Sequence, residues 1–254
     1  MSELLKNGLR RKRIMNTVSK IAVIGAMECE IEEIKQQLSQ LKEVFYADLK
    51  IFTGKINNFF VILSQSGVGK VNSALNTQYI IDTFKPDIII NTGVAGGVDK
   101  ILKIGDIVIA TSLVQHDFDV SVLGYAKGYM CTGQDKDKPT KFYCDNDLIN
   151  KFENALQKND VSTKIHKGII ASGDTFVSDK KQKEEINSYF GALAVEMEGA
   201  AIAQVATRNK VPFVVTRTIS DLADGTATEY QNEFEKTFSR LSAETLKVFL
   251  KDYN

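Results

Sequence analysis

The segment Asp87-Ile-Ile-Ile-Asn91 limits the choice of fold more than any other part of the chain. Side chains alternate between the two faces of a strand, so a run of isoleucines leaves neither face for solvent. Residues 21–25 (Ile-Ala-Val-Ile-Gly) and 213–219 read the same way. Between these runs lie segments with helical spacing. Ile31, Ile34, Leu38 and Leu41 are in phase over 28–41, and Leu75, Tyr79 and Ile80 are expected inward over 71–84, with Pro86 marking the end. Buried strands alternating with amphipathic helices predict an α/β fold with a central, largely parallel sheet between helices.

The remaining pattern fits one such domain. Residues 49–53 and 59–63 read as a hairpin turned through 54–58. Further strands are expected at 106–114, 167–171 and 193–195, and helices at 148–156, 180–189 and 200–207. Tyr230, Phe234, Phe238, Leu241, Val248 and Phe249 line one face of a final helix. Residues 1–19 are expected to form a flexible extension, and 20–254 a single domain without repeats or linkers. Residues 116–141 lack any period, and a loop that long in a compact domain is usually functional.

Charge and cysteine usage narrow the function. Acidic and basic residues number 32 each, so no net field favours a polyanion, and the Arg10, Arg11, Lys12, Arg13 run precedes the patterned region as a solvated tail. A nucleic-acid partner is not expected. Residues 21–27 imitate the apolar part of a signal peptide, but Glu28, Cys29 and Glu30 follow at once, with no cleavage site. No uninterrupted apolar stretch is long enough for a bilayer, so no membrane partner is expected. Cys29, Cys131 and Cys144 are odd in number and lack CxxC spacing, which suits a reducing cytoplasm rather than disulfides or structural zinc. With His116 and His166 as the sole histidines and the carboxylates dispersed, neither a metal nor another cofactor is expected.

Sheets of this kind place ligands at the carboxyl ends of their strands. Four strand ends are rich in polar groups: Gly25-Ala-Met-Glu-Cys-Glu30, Asn91-Thr-Gly-Val-Ala-Gly-Gly97, Val195-Glu-Met-Glu-Gly199 and Arg217-Thr-Ile-Ser-Asp221. Gly67-Val-Gly-Lys70 imitates a phosphate loop but has Ser64 where the first glycine belongs and Val71 after the lysine. Gly93, Gly96 and Gly97 serve either a tight turn or close approach to a ligand. Glu30, taken alone, fits the stabilised first turn of a helix better than a catalytic role. Glu196 and Glu198 share a face if the chain there is extended, and Asp221 reads as an N-cap or an acid. Three strand-end acids directed at one crevice are harder to attribute to chance.

Taken in order, Gly25–Glu30, Ser66-Gly-Val-Gly-Lys70, Asn91–Gly97, Ser172-Gly-Asp-Thr-Phe176, Val195–Glu198 and Ile219-Ser-Asp221 resemble the methylthioadenosine/S-adenosylhomocysteine nucleosidases of the nucleoside phosphorylase superfamily, over roughly residues 20–252. The resemblance implies a three-layer αβα sandwich around a twisted mixed β-sheet, a homodimer, a nucleoside substrate and a place in methionine salvage and the activated methyl cycle. It implies that Asp221 protonates the five-membered ring of adenine, that Glu30 activates water, and that Glu198 holds the ribose hydroxyls with Met197 against the sugar. Phe176 would stack on adenine, and the Val177 backbone would read its Watson–Crick edge. Met27, Val94, Arg217 and Ser220 match supporting substrate-binding positions. Val120, Leu123 and Tyr125 match a loop lining the neighbouring subunit's thioalkyl pocket. Val94 stands where relatives commonly carry serine, Leu123 replaces a usual aromatic, and Cys131 a usual proline. These departures bear on the 5′ substituent.

The residues suit that chemistry. Cleaving a glycosidic bond to adenine requires that the purine not leave as an anion and that the sugar tolerate oxocarbenium character. A carboxylic acid, Asp221, meets the first need if its site raises its pKa, and carboxylates on the sugar side meet the second. The acidic Glu28/Glu30 segment would repel phosphate where a phosphorylase needs a phosphate cradle, although Arg217 leaves some affinity for anions. A purine nucleoside phosphorylase, an aminofutalosine-type nucleoside hydrolase and a non-catalytic nucleoside binder remain as alternatives on the same fold. The presence of all three acids argues against the last.

Overall fold

A computed structural model of the chain describes residues 18–131, 135–159, 163–225 and 231–253, with only the backbone of 231–236 and 238. Of the expected extension it reaches Val18 and Ser19, and Ser19 is already anchored: its N–H and that of Lys20 both donate to Asp87 Oδ2 at 2.8 Å. Residues 1–17 lie outside the described residues, as does Tyr230 and the side chains of Phe234 and Phe238.

Among the described residues eleven strands form one mixed sheet. β1 (Lys20–Gly25) lies between β4 (Phe59–Gln65) and β5 (Ile88–Asn91), parallel to both. All four residues of β5 are buried, as its isoleucine run requires. β5 pairs in parallel with the first half of β11 (Phe213–Asp221), at Phe213–Val215. The second half of β11 then pairs with β6 (Val94–Gly97) on one side and β7 (Ile107–Gln115) on the other. With β9 (Ile165–Ser172) and β10 (Ala192–Glu196) this closes a ring β11–β6–β10–β9–β7. β8 (Phe142–Tyr143) extends β7 at the sheet's edge. Helices cover the sheet. α1 (Glu28–Lys35), α3 (Asn146–Lys158) and α6 (Gln231–Asp252) pack together, α2 (Lys70–Phe84) packs on α5 (Gly199–Asn209), and α4 (Lys180–Phe190) lies against β10. The core includes a stacked Phe152–Phe249 pair with ring centroids 4.3 Å apart.

Three local expectations are corrected. The first helix stops at Lys35, not at 41, and Ser39–Tyr46 forms the edge strand β2 against β3 (Leu49–Ile56). Pairing along the open edge of β3 outweighs the helical spacing of Leu38 and Leu41, and Leu41 is exposed. Gly54, expected in the hairpin turn, is inside β3, where a Cβ would lie 2.8 Å from Ser39 O. In α2, Leu75 faces outward at 53% exposure. Ile80 is buried as expected, but the first turns of the buried face are polar and small, with Ser73 and Thr77 hydroxyls bonding carbonyls one turn back and Asn76 Nδ2 donating to Ser64 Oγ at 2.7 Å. These small side chains let α2 pack closely on the alanine-rich α5, although the buried Asn76 Oδ1 has no hydrogen-bond partner among the described residues.

Candidate active site

Strand β6, expected as a turn or a ligand contact, and Gly93 just before it bring two carboxylates together. A Cβ on Gly93 would collide with Glu30 Oε1, and one on Gly96 would lie 3.0 Å from Asp221 Oδ1. The two glycines therefore clear space for two carboxylates brought to one strand from opposite ends of the chain. The register of β11 against β6 slips between Ile219 and Asp221, leaving Ser220 as the extra residue. Such a bulge re-aims the side chains beyond it. Asp221 Oδ2 accepts from Ser220 Oγ at 2.9 Å, and Oδ1 accepts from the Ala223 N–H at 2.8 Å. The N-cap alternative for Asp221 gives way to a local turn that fixes its carboxylate at the strand end, half-buried.

Glu30 is 3% exposed. Its Oε2 accepts the N–H groups of Ala26 at 2.6 Å and Met27 at 3.0 Å, and so caps the start of α1. Its Oε1 accepts the Val94 N–H at 3.2 Å, a bond to a distant strand that capping alone does not need. Burial raises the Glu30 pKa, against the opposing pull of the Arg217 charge and of the three N–H donors. Glu28 is different. It points outward to Lys50 Nζ at 3.4 Å, so the site receives one acid from this segment rather than two.

Glu196 and Glu198 are both buried, so neither is a solvated bystander. Glu198 follows the end of β10 and accepts the Gly69 N–H at 3.0 Å through Oε1. Burial and the neighbouring Glu196 charge push its pKa up, with Arg217 opposing. Glu196, to which no role was given from sequence, organises this end of the site. It pairs with Arg217, accepts from Ser172 Oγ, and accepts the N–H groups of Glu198 and Gly199 at 3.1 and 2.7 Å. Arg217 is 2% exposed; beyond Glu196 it donates to Asn91 Oδ1 at 2.6 Å and Thr216 O at 3.0 Å. A buried guanidinium so paired is a poor anion site, which removes the affinity its sequence position suggested. The alternation Glu-Met-Glu was the available signal for Glu196; its arginine partner, 21 residues on, was not legible.

The remaining candidates line the same end of the sheet. Met27, Val94 and Met197 are half-buried beside Glu30 and Glu198. Phe176 is half exposed and Val177 buried, on the segment leaving β9. Val120, Leu123 and Tyr125 follow β7. Leu123 is 69% exposed, and Tyr125 packs on Tyr129 with centroids 5.3 Å apart. At the loop's tip Val122 and Leu123 are exposed, while Val120 and Tyr125 are half-buried.

The family model described as the phosphorylase superfamily matches residues 20–253. A 5′-methylthioadenosine/S-adenosylhomocysteine nucleosidase from Staphylococcus carnosus is 40% identical over 91% of this chain and 99% of its own length. Among solved structures, the nucleosidase of that name from Neisseria meningitidis, in complex with methylthio-immucillin-A, superposes with a TM-score of 0.85 at 39% identity, covering 92% of this chain and 99% of that one. Futalosine hydrolase from Helicobacter pylori superposes with a TM-score of 0.86 at 33% identity, covering 92% and 98%. Among the described residues no helix is long and apolar enough to cross a membrane. With a αβα fold, a family match over nearly its whole length and relatives near 40% identity, this chain belongs to the 5′-methylthioadenosine/S-adenosylhomocysteine nucleosidase family of the phosphorylase superfamily.

Proposed function

We propose that the chain hydrolyses the N-glycosidic bond of 5′-methylthioadenosine and S-adenosylhomocysteine, releasing adenine and the thioribose product. The reading rests on Glu30 and Asp221 lying at the glycine clearances just before β6 and within it, with Glu198 alongside. As the C1′–N9 bond breaks, its electrons pass to the purine, and Asp221 delivers a proton to the five-membered ring. Adenine then leaves neutral. Glu198 holds the ribose hydroxyls, with Met197 against the ring, and its carboxyl oxygens face the cationic sugar. Water adds to C1′ and gives its proton to Glu30; exchange with solvent resets both acids. Phe176 and the Val177 backbone hold adenine, Met27, Val94 and Ser220 complete the lining, and Arg217 supports it from behind through Glu196. No cofactor enters this scheme.

Water rather than phosphate is the nucleophile, because the pocket presents buried Glu30 and a guanidinium already paired with Glu196. Incubation with methylthioadenosine in excess phosphate should therefore yield the free pentose. A sugar 1-phosphate as main product would refute the hydrolytic reading. The futalosine hydrolase likeness supports a second substrate, an aminofutalosine-type nucleoside, and the same assay run on that nucleoside decides between them.

The functional unit proposed is a cytoplasmic homodimer of single-domain subunits. Val122 and Leu123 are 93% and 69% exposed, and Val71 and Leu75 of α2 are 77% and 53% exposed. Apolar groups so displayed mark an interaction surface. Val120, Leu123 and Tyr125 would then line the partner's 5′-thioalkyl pocket. Sedimentation should give a dimer; a fully active monomer at all concentrations would contradict the assembly.

A further inference from the structure

Outside the reacting carboxylates, one charged cluster joins three strand-end segments. The Gly69 N–H donates to Glu198, while the N–H of the next residue, Lys70, donates to Asp174 Oδ1 at 2.8 Å. Lys70 Nζ donates to Asp117 Oδ1 at 2.6 Å and Gln115 Oε1 at 3.1 Å, and stands 3.8 Å from Asp174 Oδ2. Asp117 Oδ2 in turn accepts the Asp174 N–H at 2.8 Å. The circuit thus runs from the turn before α2 to the exit of β7, to the exit of β9 and back.

Two features set this cluster apart from a surface ion pair. The Lys70 and Asp117 side chains are 16% and 24% exposed, so water screens their pair incompletely, while Asp174 is 49% exposed. Lys70 is also the first residue of α2, whose first turn has no acidic residue. The positive end of the helix dipole disfavours a cation there, so its tertiary partners must hold it. Burial alone would push Asp117 up, yet hydrogen bonds from Lys70 and the Asp174 N–H keep its carboxyl below the ordinary range. Gly173 lets the segment lie close, since a Cβ there would strike His116.

We propose that Lys70 is a positioning residue which, through Asp117 and Asp174, sets the adenine-side segment 173–177 relative to Glu198. Its consequence for catalysis rests on the nucleosidase reading above; the latch itself does not. Two neighbouring backbone donors, at 69 and 70, span the ribose carboxylate and the base segment, and the lysine charge keeps Asp117 and Asp174 from repelling each other. Loss of that charge should loosen the grip on adenine more than it slows bond cleavage.

The full-length chain carrying Lys70→Met should show KM for methylthioadenosine and the inhibition constant of adenine raised about tenfold, with kcat changed less than about threefold. Lys70→Arg should restore both. Asp117→Asn should act in the same direction and add little on top of Lys70→Met, because the two belong to one interaction. It carries the same test if Lys70→Met does not fold. Hydrogen exchange at the Lys70 and Asp174 amides should speed about tenfold in Lys70→Met and return in Lys70→Arg. Unchanged exchange overturns the latch. Faster exchange with unchanged KM and adenine inhibition overturns its positioning role and leaves a structural one. Should wild-type protein release no adenine from methylthioadenosine, the nucleosidase reading fails while the exchange measurement still decides the latch.

Discussion

Asp221→Asn protein is expected to fold and bind nucleoside while losing a factor of at least about 10²–10⁴ in kcat, the range general-acid catalysis supplies. Asparagine keeps the size of the side chain. Its carbonyl can take the Ala223 N–H that now reaches Oδ1, and its NH2 can donate to Ser220 Oγ, which accepts as well as donates. The local turn therefore survives at a cost of about a few tenths of a kcal/mol. A proton for the departing purine is what disappears. That interaction grows mainly in the transition state, so the dissociation constant of intact methylthioadenosine should move far less than kcat. Equilibrium binding combined with single-turnover adenine release separates the two. A folded variant with kcat within a factor of a few of wild type would remove Asp221 from the role of general acid.

Glu30→Gln should lose activity on a similar scale, about 10²–10⁴ in kcat, for a different reason. An amide cannot take a proton from water. It also cannot satisfy all three present donors: with its oxygen toward Ala26 and Met27, its NH2 faces the Val94 N–H. A stability loss of about 1–3 kcal/mol is expected alongside, so thermal unfolding must be measured with the kinetics. Glu198→Gln provides the contrast, because weakened ribose binding should raise KM as well as lower kcat. The pH profile tests the same assignment. A base works unprotonated, and burial raises the Glu30 pKa above 4.5, so activity should fall on acidification through an inflection above that value. Glu30→Gln with near wild-type kcat and the same acid limb would show that another group activates water.

Ile88–Ile90 could only be buried on both faces, and that local fact already implied a covered sheet with polar strand ends. Glu30, Glu198 and Asp221 stood out as strand-end acids for the same reason, since each lies within a few residues of an apolar strand. What lay beyond the sequence depended on pairing between distant segments. β2 is a strand because the edge of β3 is open to it, although its own residues continue a helical phase. β6 is too short and glycine-rich to declare itself, and it becomes a strand by lying between β11 and β10. That placement turns Gly93 and Gly96 from ambiguous turn residues into clearances for two carboxylates. Leu75 points outward because hydroxyl and amide groups on the other face of α2 bond within the protein.

Composition and periodicity, then, determined the sheet's buried centre and the acids at its rim, because those follow from short-range alternation of side chains. The tertiary structure alone decided which groups each acid meets. It sent Glu28 to solvent and Glu30 inward, and it joined Glu196 to Arg217 across 21 residues. It also slipped β11 by one residue so that Asp221 meets Gly96. The physical reason is that charge, burial and hydrogen-bond supply at a carboxylate are set by whatever packs around it, and those neighbours come from strands far apart in the chain.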